Sequence, residues 1–269
     1  MLYLLLNQDL ILTANYSEKL KFLKSIFYLY KMADISYKYL PVSVFDVQKL
    51  GRETIRKKQD HNKTSSRSSF SPFPKDVAEW CAKYFLRDAN FVMDPFAGWG
   101  ERNKAISDAG KFYFGYDTSQ KAIDYAKENF AVINIKGDSR IDEIPEHDGL
   151  LTCPPYWNLE KYGDDKGLDQ IKKWNDFLVE YELIWKRVVE KASSGSKYCI
   201  VLGDWRKKGV YYDLVFQTEK IMDKLGMKPF DKVILSHKKQ AKIKIMLPQV
   251  KRLGYTVKVH QILLVFEKP

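Results

Sequence analysis

An α/β fold with a doubly wound, mostly parallel sheet is what this sequence predicts, on three observations. Short apolar stretches of strand character alternate with longer stretches of helical spacing from about residue 75 onward. That alternation gives a parallel sheet covered by helices on both faces. One strand, residues 91–94, runs into Pro95-Phe96-Ala97-Gly98-Trp99-Gly100 and then a helix; glycines in such a turn permit close backbone approach to a ligand. Another, residues 148–153, stops at Pro154-Pro155, where two missing donors and two fixed φ angles forbid helix or central strand. Both loops follow the carboxyl ends of strands, the edge where open α/β sheets bind ligands.

The 269 residues suffice for one large α/β domain with appendages, or at most two domains. A hydrophobic content of 45% with 14% aromatics implies a packed core. The net charge of +11 favours a polyanionic partner, nucleic acid first and a membrane surface second. The three cysteines, Cys81, Cys153 and Cys199, form no Cys-x-x-Cys pair. This speaks against a zinc site or a secreted disulfide framework, and a reducing cytoplasm is the expected compartment.

Taken in order, residues 11–30 carry apolar side chains at helical spacing with Lys19, Lys21 and Lys24 between them. No stretch has the roughly 18 uninterrupted apolar residues of a transmembrane helix, and a basic leading segment and small-residue cleavage site are missing. A docking helix, a membrane-surface helix and a non-native leader before Met32 all remain open. Residues 1–39 are read as a dispensable appendage. Residues 41–47 form a plausible strand. The polar stretch after them has Arg52, Arg56, Lys57, Lys58, Lys63 and Arg67 against Glu53 and Asp60, and suits either a phosphate-contacting arm or a solvated linker.

Pro74 stands where a helix start welcomes proline, and Val77, Ala78, Cys81, Ala82 and Phe85 form an apolar stripe over residues 75–86. A helix is expected over 101–109 and a second strand over 112–116, ending on Asp117. That aspartate lies 17 residues after Gly100, near the spacing at which an acid caps a ribose diol; it also suits the amino-cap of a helix over 119–130. A strand over 131–135 leads to Gly137-Asp138, more often a turn when it stands alone. After the Pro-Pro loop, with its displayed Tyr156-Trp157 pair, residues 163–167 suit a mobile lid. Residues 168–191 read as one long amphipathic helix, 198–204 as a strand, 211–225 as a helix, and 233–236 with 257–266 as closing strands. Residues 228–258 carry nine lysines and arginines against Asp231 alone, a phosphate-binding surface in preference to a merely solvated face.

These motifs together resemble the amino-methyltransferases that use S-adenosylmethionine and modify exocyclic amines of DNA bases. Asp94-Pro95-Phe96-Ala97-Gly98-Trp99-Gly100 is similar to that family's cofactor loop, and Cys153-Pro154-Pro155-Tyr156 to its catalytic loop, with about 55 residues between them. Phe73-Pro74 resembles the segment packing on the cofactor's methionine part, and residues 257–266 the family's terminal strand. More narrowly, Ser43-Val44-Phe45-Asp46, Gly203-Asp204-Trp205-Arg206 and the His260-Gln261 ending resemble phage- and prophage-borne DNA methyltransferases, including those of restriction-modification systems. The resemblance covers about residues 40–269.

The resemblance implies a Rossmann-like class I methyltransferase fold with an antiparallel closing strand, and a basic target-contact insertion at about 228–256. It implies S-adenosylmethionine as cofactor, held by Phe73, Pro74, Asp94, Pro95, Phe96, Gly98 and Gly100, with Asp117 on the ribose and Asp138 on the adenine. It implies duplex DNA as partner, contacted by Lys238, Lys239, Lys242, Lys244, Lys251 and Arg252, with no metal and no membrane. Cys153, Pro154, Pro155 and Tyr156 would position a target base flipped from the duplex. An exocyclic amine is a poor nucleophile because its lone pair is delocalised into the ring. The Pro154 carbonyl and the side chain at 153 would accept its two hydrogens, while Tyr156 stacks on the base. Cys153 departs from the family's usual Asp, Asn or Ser, and a thiol is a weaker acceptor. The target base is therefore open, with adenine favoured over cytosine. An RNA amino-methyltransferase and a catalytically silent nucleic-acid-binding protein are the alternatives.

Overall fold

The computed structural model describes residues 41–47, 73–157, 167–237, 247–248 and 250–269. The described residues from Val42 onward belong to one compact unit, Val42–Pro269. The expected helix over 11–30, the basic stretch 48–69, the lid residues 163–166 and Lys238, Lys239, Lys242 and Lys244 lie outside the described residues.

The strands of the main sheet are β1 (Val44–Asp46), β2 (Phe91–Asp94), β3 (Phe112–Asp117), β4 (Ile135–Lys136), β5 (His147–Thr152), β6 (Ala192–Leu202), β9 (Lys228–Ser236) and β10 (His260–Glu267). Two short strands, β7 (Trp205–Lys207) and β8 (Val210–Tyr212), pair only with each other. The helices are α1 (Lys75–Trp80), α2 (Glu101–Asp108), α3 (Gln120–Phe130), α4 (Trp174–Glu190) and α5 (Leu214–Lys224). The main sheet runs β1-β9-β10-β6-β5-β2-β3-β4. Every neighbouring pair is parallel except those made by β10, which is antiparallel to both β6 and β9. This is the expected doubly wound sheet with its antiparallel closing strand. The chain moves outward from β2 to β3 and β4, then returns to lay β5 on the other side of β2. That reversal opens a crevice at the carboxyl ends of β2 and β5.

Sequence pattern accounts for the centre of the sheet. In β5 all residues but Asp148 are buried, and the last five of β6 are buried without interruption, as strands covered on both faces require. On α4, Phe177, Tyr181 and Trp185 recur every fourth residue and are fully buried, making one apolar stripe on the helix. Their rings follow one another at 5.4 and 5.6 Å between centroids.

Several expected boundaries are corrected. The strand expected over 131–135 is only β4, because Ala131 takes φ 54° as the left-handed cap of α3. The long helix expected over 168–191 is a 3-10 turn at Leu168–Gln170, a break, and then α4. The helix expected from 211 starts at Leu214, because Val210–Tyr212 pairs back on Trp205–Lys207. Lys208 and Gly209, both at positive φ, close that hairpin as two-residue turns demand. Finally, residues 228–236 form a sheet strand, so Lys228 and Lys232 belong to the scaffold and not to an inserted segment.

Gly100 shows packing deciding a residue. At φ 102°, an added Cβ would lie 2.7 Å from the Ala126 Cβ and 3.2 Å from the Phe130 ring, so glycine lets α2 start hard against α3. Gly110 has φ 74° but open space around it. Gly110→Ala should therefore cost only the left-handed backbone strain, about 1–2 kcal/mol. Gly100→Ala should cost about 1–3 kcal/mol more for the overlap; urea midpoints of the two variants check this, and equal losses would refute the packing account.

Candidate active site

The site is built upward from Asp94, the last residue of β2, whose side chain is fully buried. Its Oδ1 accepts from the Phe96 N–H at 3.0 Å and the Thr152 hydroxyl at 2.5 Å. Its Oδ2 accepts from Arg102 Nε at 2.7 Å and the Tyr113 hydroxyl at 2.9 Å. Burial alone would lower the pKa of the Arg102 guanidinium. Asp94 above all, then Tyr113 and Cys153, outweigh burial and hold it above its usual range. Arg102 also donates from Nη2 to the Phe96 carbonyl at 2.5 Å and lies over the Phe73 ring.

The loop after β2 has its polar backbone groups engaged in turn. The Pro95 carbonyl accepts from Ser139 at 3.0 Å, the Ala97 N–H donates to the Tyr116 carbonyl at 2.8 Å, and the Gly98 carbonyl accepts from Asn134 at 3.1 Å. The Gly98 N–H donates to Asp117 Oδ2 at 2.7 Å, while Asp117 Oδ1 accepts from the Ser119 N–H at 2.8 Å. Ser119, not Asp117, is the amino-cap of α3. Burial raises the Asp117 carboxyl above its usual range, opposed by the Ser119 and Gly98 N–H groups. Asp138, after β4, is held by Arg140 at 2.6 Å from Nη2 and 2.9 Å from Nε. A carboxylate offers about four acceptor directions, so Asp117 retains capacity for a ligand; Asp138 also accepts from the Arg140 N–H at 3.0 Å, so a ligand there would share it with Arg140.

The Pro-Pro loop leaves β5 on the far side of the crevice. Its aromatic pair is not displayed together as the sequence led us to expect. Trp157 turns at φ 37° into the core, where Nε1 donates to the Ile171 carbonyl at 2.7 Å. Tyr156 stays on the cavity wall. Its hydroxyl accepts from Gln261 Nε2 at 2.7 Å, and its ring stands at 84° to Trp205. Gln261 comes from β10, which runs antiparallel and so delivers its first residues to this edge. Gln261 Oε1 lies 2.8 Å from His237 Nε2 at the end of β9.

One cavity unites most of the sequence-selected residues: Phe73, Pro74, Pro95, Phe96, Gly98, Asp117, Asp138, Cys153, Pro154, Pro155 and Tyr156 all line it. Asp94 and Gly100 do not. Asp94 lies beneath the loop with its oxygens taken up by the scaffold, and Gly100 faces α3. Sequence reading missed Glu101, Arg102, Ser139, Arg140 and Gln261, which also line the cavity. An acid directly after Gly100 was visible as a helix-start signal; Gln261 stood out only as part of the terminal motif, not as a wall residue. Of the six basic residues expected at nucleic acid, Lys251 and Arg252 are described, and both are exposed. Among the described residues no group of His, Cys, Asp or Glu is placed to hold a metal, and no helix is long and apolar enough to cross a membrane.

No family model matches the chain, and none of the curated proteins matches it. Among solved structures it is similar to TrmN from Thermus thermophilus, at 15% identity and TM-score 0.45 over 76% of this chain; it spans half of TrmN. It is also similar to a putative RNA methyltransferase from Pyrococcus horikoshii, at 15% identity and TM-score 0.49, covering 80% of this chain and 95% of that one. The N-methyltransferase NodS from Bradyrhizobium japonicum, in complex with S-adenosyl-L-homocysteine, matches at 10% identity and TM-score 0.48, over 74% and 89%.

Glu101 carries a pH dependence. Burial pushes its carboxyl from 4.5 up to about 7, against the lowering influence of backbone N–H groups and Arg102. The folded state thus holds this proton more tightly than the unfolded state. The contribution is fully present below pH 4.5 and is lost as pH rises through about 7. Removing the charge by Glu101→Gln should therefore stabilise the protein more at pH 8 than at pH 5. The difference is at most about 3 kcal/mol, read from thermal melts at the two pH values.

Proposed function

We propose that this chain transfers the methyl group of S-adenosylmethionine to the exocyclic amine of a DNA base, adenine ahead of cytosine. The target base is extrahelical when it reacts, and the resemblance to phage- and prophage-borne enzymes supplies the DNA substrate. The observation that carries the reading is a single cavity with Asp117 and Asp138 on one side and the Cys153–Tyr156 loop on the other. The residues present fit the cofactor. Asp117 ends β3 as an acceptor for a ribose diol, Asp138 follows β4 as an acceptor for an amino group, and Phe96 and Gly98 border the space between. When bound, the cofactor supplies an electrophilic methyl on a sulfonium.

The chain's part is positional. The two prolines fix the Pro154 carbonyl as acceptor for one amine hydrogen. Cys153 lines the cavity and takes the part of the second acceptor in this reading. With its hydrogens engaged the amine nitrogen turns its lone pair toward the methyl carbon. Held in this way by Pro154 and Cys153, the nitrogen would be methylated in line by the bound cofactor, and the amine proton it loses would pass to water. Gln261 and Trp205 hold the Tyr156 ring for stacking on the flipped base. Near-attack positioning of this kind supplies much of the rate without metal or covalent intermediate. The net charge of +11 and the exposed Lys251 and Arg252 favour a phosphate-bearing substrate.

Tyr156→Ala should lower turnover about 100-fold while leaving the Kd of S-adenosylhomocysteine unchanged; normal turnover would sink the stacking role. Asp117→Ala should weaken that Kd by about 10-fold or more, as loss of hydrogen bonds to a charged acceptor does, and unaltered affinity would reduce Asp117 to a loop anchor. The deciding experiment is tritium transfer from labelled S-adenosylmethionine to duplex DNA and to transfer RNA, followed by nucleoside identification. Label on a DNA base amine is the expected result. Label on RNA alone would replace the substrate, and failure to bind the cofactor would overturn the reading.

A further inference from the structure

Glu101 is the first residue of α2, lines the same cavity, and is only 7% exposed. Its Oε1 is buried without a hydrogen-bond partner. Buried carboxylate oxygens left so are uncommon, because the lost hydration is uncompensated. The contrast with Asp94 is direct, since that carboxylate takes up four donors. The adjacent cation, Arg102, does not answer Glu101, for its guanidinium is turned to Asp94 and the Phe96 carbonyl. Backbone N–H groups of Glu101 and Phe73 reach the carboxylate, but an Oε1 left without a donor in the wall of a ligand cavity is satisfied by a donor on the ligand.

We infer that Glu101 is the ligand for the cationic α-amino group of the cofactor's amino-acid part. The inference rests on S-adenosylmethionine being the occupant of the cavity. Asp117 and Asp138 stand at the ends of β3 and β4 and take the nucleoside, and the 153–156 loop belongs to the methyl acceptor. Glu101 lines the cavity from the start of α2, with the Phe73 backbone N–H against its carboxylate. An ammonium there restores the missing charge and donor together. Because burial pushes this carboxyl up to about 7, binding below that pH must also expel a proton from Glu101. Affinity therefore falls with acidity.

The test is calorimetric binding to wild type and Glu101→Gln at pH 6 and pH 8, with three probes: S-adenosylhomocysteine, its analogue lacking the α-amino group, and methylthioadenosine. At pH 8, Glu101→Gln should weaken S-adenosylhomocysteine about 10-fold or more and leave methylthioadenosine unchanged. Wild type should bind the deaminated analogue as weakly as the variant does. Its affinity for S-adenosylhomocysteine should drop about 10-fold between pH 8 and pH 6, and the variant's should stay flat. Equal affinity of both proteins for S-adenosylhomocysteine would overturn the proposal. So would a parallel loss of methylthioadenosine, which marks a merely structural role. If wild type binds none of the three nucleosides, the cofactor reading itself falls, a different outcome. Thermal melts confirm that the variant is folded, and wild-type binding of the deaminated analogue tests the contact without any substitution.

Discussion

The Asp94 carboxylate is the constraint on which the rest of the site depends. It is buried to zero exposure, yet five parts of the chain meet at it: its own β2, the following loop, α2 through Arg102, β3 through Tyr113 and β5 through Thr152. A buried ion pair of this kind adds little net stability, because desolvation offsets most of the attraction. Its consequence is placement. With Arg102 drawn to Asp94, the Phe96 carbonyl is fixed from one side and the Phe96 N–H from the other. The backbone at Phe96 is thereby held at both of its polar groups.

The opposite wall is held by a different kind of interaction. Among the described residues no strand pairs with the Pro-Pro loop, and aromatic packing supplies restraint. Trp157 is driven inward among Trp174 and Tyr212, and the β7–β8 hairpin sets Trp205 against Tyr156. Neighbouring residues of one short loop thus serve opposite ends: Trp157 anchors, and Tyr156 is presented. Gln261 completes the arrangement from β10, and links it through His237 to the point where the basic segment begins.

Much of this was legible because it is local. The glycines at 98 and 100, the prolines at 154 and 155, and the acids at 117 and 138 impose their conformations or chemistry within a few residues. Their places at strand ends follow from the period of the apolar pattern. Boundaries misread from the sequence failed for local reasons too. A left-handed cap at Ala131 shortened β4, and the Lys208-Gly209 turn converted an apparent helix start into a hairpin. Charge counting misled in one respect, since Lys228 and Lys232 sit on a sheet strand and Lys232 is paired with Glu219.

The sequence by itself determined the doubly wound sheet, the two special loops and their order, and the residues that line most of the cavity. Periodicity and the fixed backbone of proline and glycine operate without reference to the rest of the chain. Only the tertiary structure decided that Asp94 is scaffold and not wall, that Gly100 serves helix packing, and that Gln261 reaches Tyr156 across 105 positions. It alone revealed that Glu101 is buried with an unanswered oxygen. Those outcomes depend on burial and on partners brought together by strand order, and neither quantity exists until the sheet has closed.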